Sequence, residues 1–227
     1  VSHEPWMSHE ICNTPEGIIV PEESKEQYNI FNLTYAEIKQ FDCGSRGNEK
    51  FSEQQPMSAY KPSLLEAVTQ VELHCKKNNL TPPQYNIEIK SQPDYDNKYT
   101  PEPATFARIL LEDLELLEIT NRTTVQSFDP RSLEEVHRQD STVQTAYLVY
   151  QPGVERQMNL LSYTPEIYSP YYLLLNPATM DSVKKLDMKI IPWTINDVET
   201  MQRLIAAGVD GIITDYPNLI EQVVPVD

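Results

Sequence analysis

The sequence predicts an α/β fold on a parallel sheet with helical crossovers, and it favours the closed (β/α)8 TIM barrel over the open doubly wound sheet. Three observations carry this. From residue 85 onward, short apolar or alternating runs take turns with amphipathic stretches in about six strand–helix units, the pattern of parallel strands joined by helices. Glu88, Lys90, Gln126, Asp129, Asn176, Asn196 and Asp215 fall at or just past the ends of several different predicted strands. A barrel builds its chemistry on that rim, whereas a doubly wound sheet gathers such residues at one switch point. The 227 residues, 40% of them hydrophobic, suffice for one sizeable core.

The elements follow in order. Residues 11–60 are rich in turn signals and poor in periodicity, and form an insertion or subdomain. Within them Thr34 and Glu37 form a capping box for a short helix ending near Phe41. Ser63 caps a helix whose apolar positions are Leu64, Leu65, Val68, Val71 and Leu73, stopped by Pro82 and Pro83. Tyr85–Lys90 alternates strictly as a strand. A helix over Pro103–Leu117 sets Phe106, Ile109, Leu110, Leu114 and Leu117 on one face.

Thr123–Phe128 is a β-branched strand, followed by a helix capped by Asp129 or Ser132 that reaches about His137. Further strands are expected at Thr145–Tyr150, Tyr171–Leu175, Lys189–Thr194 and Gly211–Asp215. Helices are expected around Met180–Lys185, over Asp197–Ala207 with Gly208 as an αL stop, and over Asn218–Val223.

Composition excludes several functions. The net charge of −16 opposes broad binding to nucleic-acid phosphates. Six glycines leave no dinucleotide fingerprint and no P-loop. No apolar run approaches the roughly 18–20 residues of a membrane span. No serine nucleophile elbow and no zincin motif is present. Cys12, Cys43 and Cys75 follow no metal or redox spacing and are expected to be buried or incidental thiols. His74 and His137 are expected on the surface. Asn32, Asn79 and Asn121 each open a glycosylation acceptor triplet, a pattern too short to indicate secretion.

Glu88 and Lys90 are the most informative pair. Period two puts Asn86, Glu88 and Lys90 on one face of their strand and Ile87 and Ile89 on the other. A helix-covered parallel strand is normally apolar on both faces. The polar face therefore borders a ligand or water, or belongs to an edge strand, or forms an internal Glu–Lys pair. Trp193, at a strand end, is either core packing or a binding wall. Asp215 suits the cap of the last helix.

Ser2-His3-Glu4-Pro5, Tyr85–Lys90, Val125–Asp129, Ile191–Asn196 and Gly208–Pro217, in this order and spacing, resemble the glycerophosphodiester phosphodiesterase family over essentially the whole chain. The resemblance implies a (β/α)8 barrel and a divalent cation, calcium or magnesium, held by acidic residues. It also implies a histidine pair for acid–base work. His3 matches the second histidine, Glu88 the metal ligand of the third strand, and Lys90 the phosphate-facing lysine. Phe128 and Trp193 match the aromatic lining of the substrate pocket.

The family's His-Arg-Gly and Glu-x-Asp motifs are not found. The expectation is thus one barrel domain over residues 1–227 that starts after the family's second strand, carries an insertion near 11–60 and turns over poorly by itself. The implied reaction is hydrolysis of a small-molecule glycerophosphodiester to sn-glycerol 3-phosphate and an alcohol. A non-catalytic binding homologue and a sphingomyelinase D type phospholipase are the alternatives. A periplasmic or secreted location is favoured, and no nucleic-acid partner or membrane span is expected.

Overall fold

A computed structural model describes residues 1–223. The chain divides into two compact units, residues 1–83 with 91–118, and residues 84–90 with 119 onward.

The first unit holds three helices, α1 (Tyr35–Ile38), α2 (Leu64–Asn78) and α3 (Pro103–Leu116). The expected capping box is present: Thr34 Oγ1 accepts from Glu37 N–H, and the Glu37 carboxylate accepts from Thr34 N–H. Ser63 caps α2, which ends on left-handed Asn79, before the two prolines.

The buried faces differ from the expected ones. On α2, Val68 and Cys75 are buried while Leu65, Val71 and Leu73 are exposed. On α3 the buried line is Pro103, Ala107, Leu110 and Leu114, and Ile109 is exposed. In both helices the apolar residues spread wider than one stripe, so packing rather than composition chose the face.

Residues 11–60, together with Met7 before them, contain a core of their own around Met7, Cys12, Val20, Ile38 and Phe41. Cys12 and Cys43 form a disulfide there, which corrects the expectation of free thiols; Cys75 is the buried free one. The cause is local. Asn13 and Asp42 exchange backbone hydrogen bonds across an antiparallel bridge, which sets their neighbours Cys12 and Cys43 side by side. Spacing rules do not see such a pairing. A bridge across 31 positions is worth about 3–4 kcal/mol by loop-closure entropy. The Cys12→Ser/Cys43→Ser variant is therefore expected to lose amide-exchange protection in this unit by about that amount. A thiol titration of the denatured, unreduced protein should find one free thiol, and finding three would contradict the bridge.

The second unit is a parallel sheet of β1 (Tyr85–Glu88), β2 (Thr123–Ser127), β3 (Gln144–Val149), β4 (Ile167–Pro170) and β5 (Lys189–Ile190), in that spatial order. Among the described residues four α-helices belong to it: α4 (Pro130–Gln139), α5 (Val154–Met158), α6 (Pro177–Lys184) and α7 (Val198–Ala207). Strand order that follows chain order without reversal is the arrangement of a (β/α)8 barrel arc. The doubly wound sheet reverses at its switch point, so the order decides between the two architectures. Asp129, Asn176 and Asp197 cap α4, α6 and α7, and left-handed Gly208 ends α7.

Register separates the two faces. One carries Tyr147, Val149, Tyr168 and Ile190, packed with Leu133, Val154, Met180 and Val183 from the crossover helices. The other carries Glu88, Gln126, Ala146, Ile167 and Lys189 in one row, since these residues pair across the five strands.

Three further expectations are corrected. The fourth strand is Ile167–Pro170, and the apolar run after it turns into a 3-10 helix over Tyr172–Leu174. Hydrophobicity marked the run but not its conformation. Gly211–Asp215 does not form a strand. It lies alongside the segment after β5, with Asp210 N–H donating to Ile190 O and Ile213 N–H to Pro192 O. Pro192 has no N–H to return, so the regular ladder lapses. The last helix is 3-10, over Pro217–Gln222, and Asp215 does not cap it. Asp215 instead accepts from Asn196 Nδ2 at 2.8 Å.

Candidate active site

The site is built where the strands of the second unit end. On β1, the alternation that puts Ile89 in the core leaves Glu88 and Lys90 on the other face. Lys90 Nζ lies 3.6 Å from Glu88 Oε1, within reach of an ion pair and beyond a hydrogen bond. Glu88 Oε1 is shut off from water and accepts no hydrogen bond among the described residues. A buried carboxylate oxygen normally has partners, and one left without them is costly. Lower on the same face, Asn86 Nδ2 donates to Gln126 Oε1 at 2.9 Å. Of the alternatives open for this strand, two are met: β1 is the outer strand of the five-stranded sheet, and the internal Glu–Lys pair is present in a loose form that leaves one oxygen without a hydrogen bond.

Buried serines tie off the ends of β2 and β4. Ser127 Oγ donates to Ile89 O at 2.6 Å, and Ser169 Oγ donates to Ile191 O at 2.6 Å. These bonds tie each strand to its neighbour where the ladder stops. They fix the residues that follow, Phe128 after β2 and Tyr171 after β4. Phe128 leaves its strand level with Lys90, because Glu88 pairs with Gln126 two residues earlier.

One row higher stand Tyr150, Tyr171 and Trp193, brought level by the Val149–Pro170 pairing and the Tyr171–Trp193 bridge. Ring centroids are 5.2 Å apart for Phe128 and Trp193, 5.4 Å for Tyr171 and Trp193, and 5.5 Å for Tyr150 and Tyr171. Trp193 Nε1 donates to Ser169 O at 2.9 Å, which locks the indole in place. Trp193 is half-buried, so it takes part in packing and presents a wall at once.

The structure brings together four of the five residues singled out from sequence: Glu88 with Lys90, and Phe128 with Trp193 on the same sheet face. His3 belongs to the first unit. It is exposed, and its Nδ1 lies 2.8 Å from Glu4 Oε1. In the same unit burial pushes the Lys61 ammonium down in pKa, against the pull of Glu4. His74 is exposed as expected, whereas His137 is half-buried and stacks on Tyr163 at 3.8 Å. Asp129, Asn176 and Asn196 serve caps and loop contacts.

Sequence reasoning missed Tyr150 and Tyr171 as members of the wall. A signal was available: an aromatic residue stands directly after the last residue of β2, β3 and β4 in turn.

A calcium or magnesium ion takes oxygen ligands, and magnesium commonly uses one or two carboxylates together with waters and substrate phosphate. The unpartnered, buried Glu88 Oε1 suits one such ligand. Among the described residues no group of three or more His, Cys, Asp or Glu could hold an ion. No helix among them is long and apolar enough to cross a membrane.

Comparison with known proteins agrees with this picture. Over 197 residues the chain is 31% identical to a glycerophosphodiester phosphodiesterase of Caldanaerobacter subterraneus subsp. tengcongensis, covering 84% of this chain and 71% of that protein. A solved structure from Silicibacter pomeroyi DSS-3, named for the same enzyme class, superposes with a TM-score of 0.79 at 24% identity, covering 98% of this chain and 77% of the other. An Oleispira antarctica phosphodiesterase, solved in complex with the product sn-glycerol-3-phosphate, gives a TM-score of 0.64 at 20% identity over 86% and 72%. At such identities the two structures support the barrel-type fold. The family model described as "Glycerophosphoryl diester phosphodiesterase family" matches residues 17–219, which include the whole of the parallel sheet, its α-helices and most of the first unit. With that match and the 31% identical relative, the chain belongs to the glycerophosphoryl diester phosphodiesterase family.

Proposed function

We propose that the protein hydrolyses glycerophosphodiesters to sn-glycerol 3-phosphate and an alcohol at the strand ends of the second unit. The observation that carries this is the buried, unpartnered Glu88 Oε1 beside Lys90, in a chain of this family. Glu88 is the residue that would hold a divalent cation, calcium or magnesium. When bound, such an ion supplies Lewis-acid stabilisation of charge on the phosphoryl oxygens.

The chain's own residues do the rest. The Lys90 ammonium neutralises a phosphate oxygen, and its value grows as charge develops in a site with little water. Phe128 and Trp193 form an aromatic wall that positions the substrate beside Lys90. His3 is given the acid–base role by its match to the family's second histidine. The 2.8 Å contact between its Nδ1 and Glu4 is the kind that fixes a ring tautomer. The Cys12–Cys43 bridge supports an oxidising, periplasmic or extracellular location.

The test is release of glycerol 3-phosphate from glycerophosphocholine and glycerophosphoethanolamine by the full-length protein, with calcium, with magnesium and with chelator. Release that requires a divalent ion is expected. No release with either ion would leave a binding role as the better reading.

A further inference from the structure

The aromatic wall extends well beyond the two residues that the reaction needs. Starting at Phe128, level with Lys90, it continues through Trp193 to Tyr171 and Tyr150. A phosphate held at Lys90 would sit level with Phe128, where this wall begins. Tyr150 lies nearly parallel to Trp193, with 24° between ring planes at 6.0 Å, and remains 65% exposed. One ring face is thus packed and the other is open. Trp193 has a single polar hydrogen, and it is already engaged by Ser169 O. The indole therefore has no free donor to offer an incoming group.

Ring faces carry negative quadrupole potential and attract cations that have no N–H to satisfy. A headgroup rich in hydroxyls would instead lose hydrogen bonds to water on this surface. Charge points the same way. With a net charge of −16, the protein repels a substrate whose headgroup leaves it anionic, and repels a zwitterion far less.

We propose that Tyr150, Tyr171 and Trp193 form a headgroup subsite that selects glycerophosphodiesters bearing a quaternary ammonium over those with sugar-alcohol or anionic headgroups. This rests on the hydrolase reading given above.

Two measurements test it. The first is the ratio of kcat/KM for glycerophosphocholine to that for glycerophosphoglycerol. Tyr150→Leu is expected to lower this ratio about threefold to tenfold, mainly through KM for the choline ester. Tyr150→Phe, which keeps the ring, is expected to retain it. Equal losses on both substrates, or an unchanged ratio in Tyr150→Leu, would overturn the subsite. The second measurement does not depend on turnover. Saturation-transfer NMR on the N-methyl protons of glycerophosphocholine should show contact with the wild type and a weaker one with Tyr150→Leu. That contact without hydrolysis would contradict the proposed reaction and leave the subsite standing. Absence of the contact in a protein that does hydrolyse glycerophosphocholine would remove the subsite alone.

Discussion

Glu88→Gln is expected to lower kcat/KM for glycerophosphocholine by on the order of 10²–10³-fold while the protein stays folded. The substitution keeps the shape of the side chain and removes its charge. In the wild type, Oε1 is dry, accepts no hydrogen bond among the described residues, and has the Lys90 ammonium 3.6 Å away as a countercharge. A neutral amide in its place is easier to keep from water, so stability without divalent ions should hold or rise by up to about 1 kcal/mol. A carboxylate retained for packing would behave in the opposite way, with stability lost and turnover kept. Circular dichroism melting together with steady-state kinetics separates the two. A stable variant with wild-type kcat/KM would show that the orphaned oxygen has no part in the reaction.

Lys90→Met is expected to cost about 10²-fold in kcat/KM, with the larger part in kcat. A charge that meets phosphate equally in substrate and transition state would raise KM alone. One that meets developing charge lowers kcat. Lys90→Arg should recover only part of the loss, because a planar guanidinium replaces a compact ammonium of different reach. The Glu88–Lys90 pair is a quarter to a third exposed, so its loss should change folding stability by less than about 1 kcal/mol. Unchanged kcat in Lys90→Met would remove the lysine from the phosphate's surroundings.

The polar face of β1 was legible because period two is rigid: once Ile87 and Ile89 face the core, Glu88 and Lys90 must face the other way. Helix starts were legible for a related reason. Thr34, Ser63, Asp129 and Asp197 each satisfy backbone donors that have no other local partner. What stayed hidden depended on contacts between distant residues. The Cys12–Cys43 bridge follows from an antiparallel contact between two loops. The position of β4 depends on pairing with β3 rather than on its own weak pattern, in which Ser169 and Pro170 mask the strand. The aromatic wall joins residues from four consecutive strand ends, and register alone makes Tyr150, Tyr171 and Trp193 neighbours. Barrel and doubly wound sheet share the same alternation in one dimension, so the polar strand ends could favour the barrel but only the spatial order of strands decides between them.

The central claim is that Glu88 links a divalent cation to phosphodiester hydrolysis. Its most direct test is the release of glycerol 3-phosphate from glycerophosphocholine as magnesium or calcium is titrated into full-length wild type and Glu88→Gln. The account predicts saturable activation of the wild type, with the variant's activation absent or moved at least about tenfold higher in ion concentration. Superimposable titrations, or equal activity of both proteins in chelator, would contradict it.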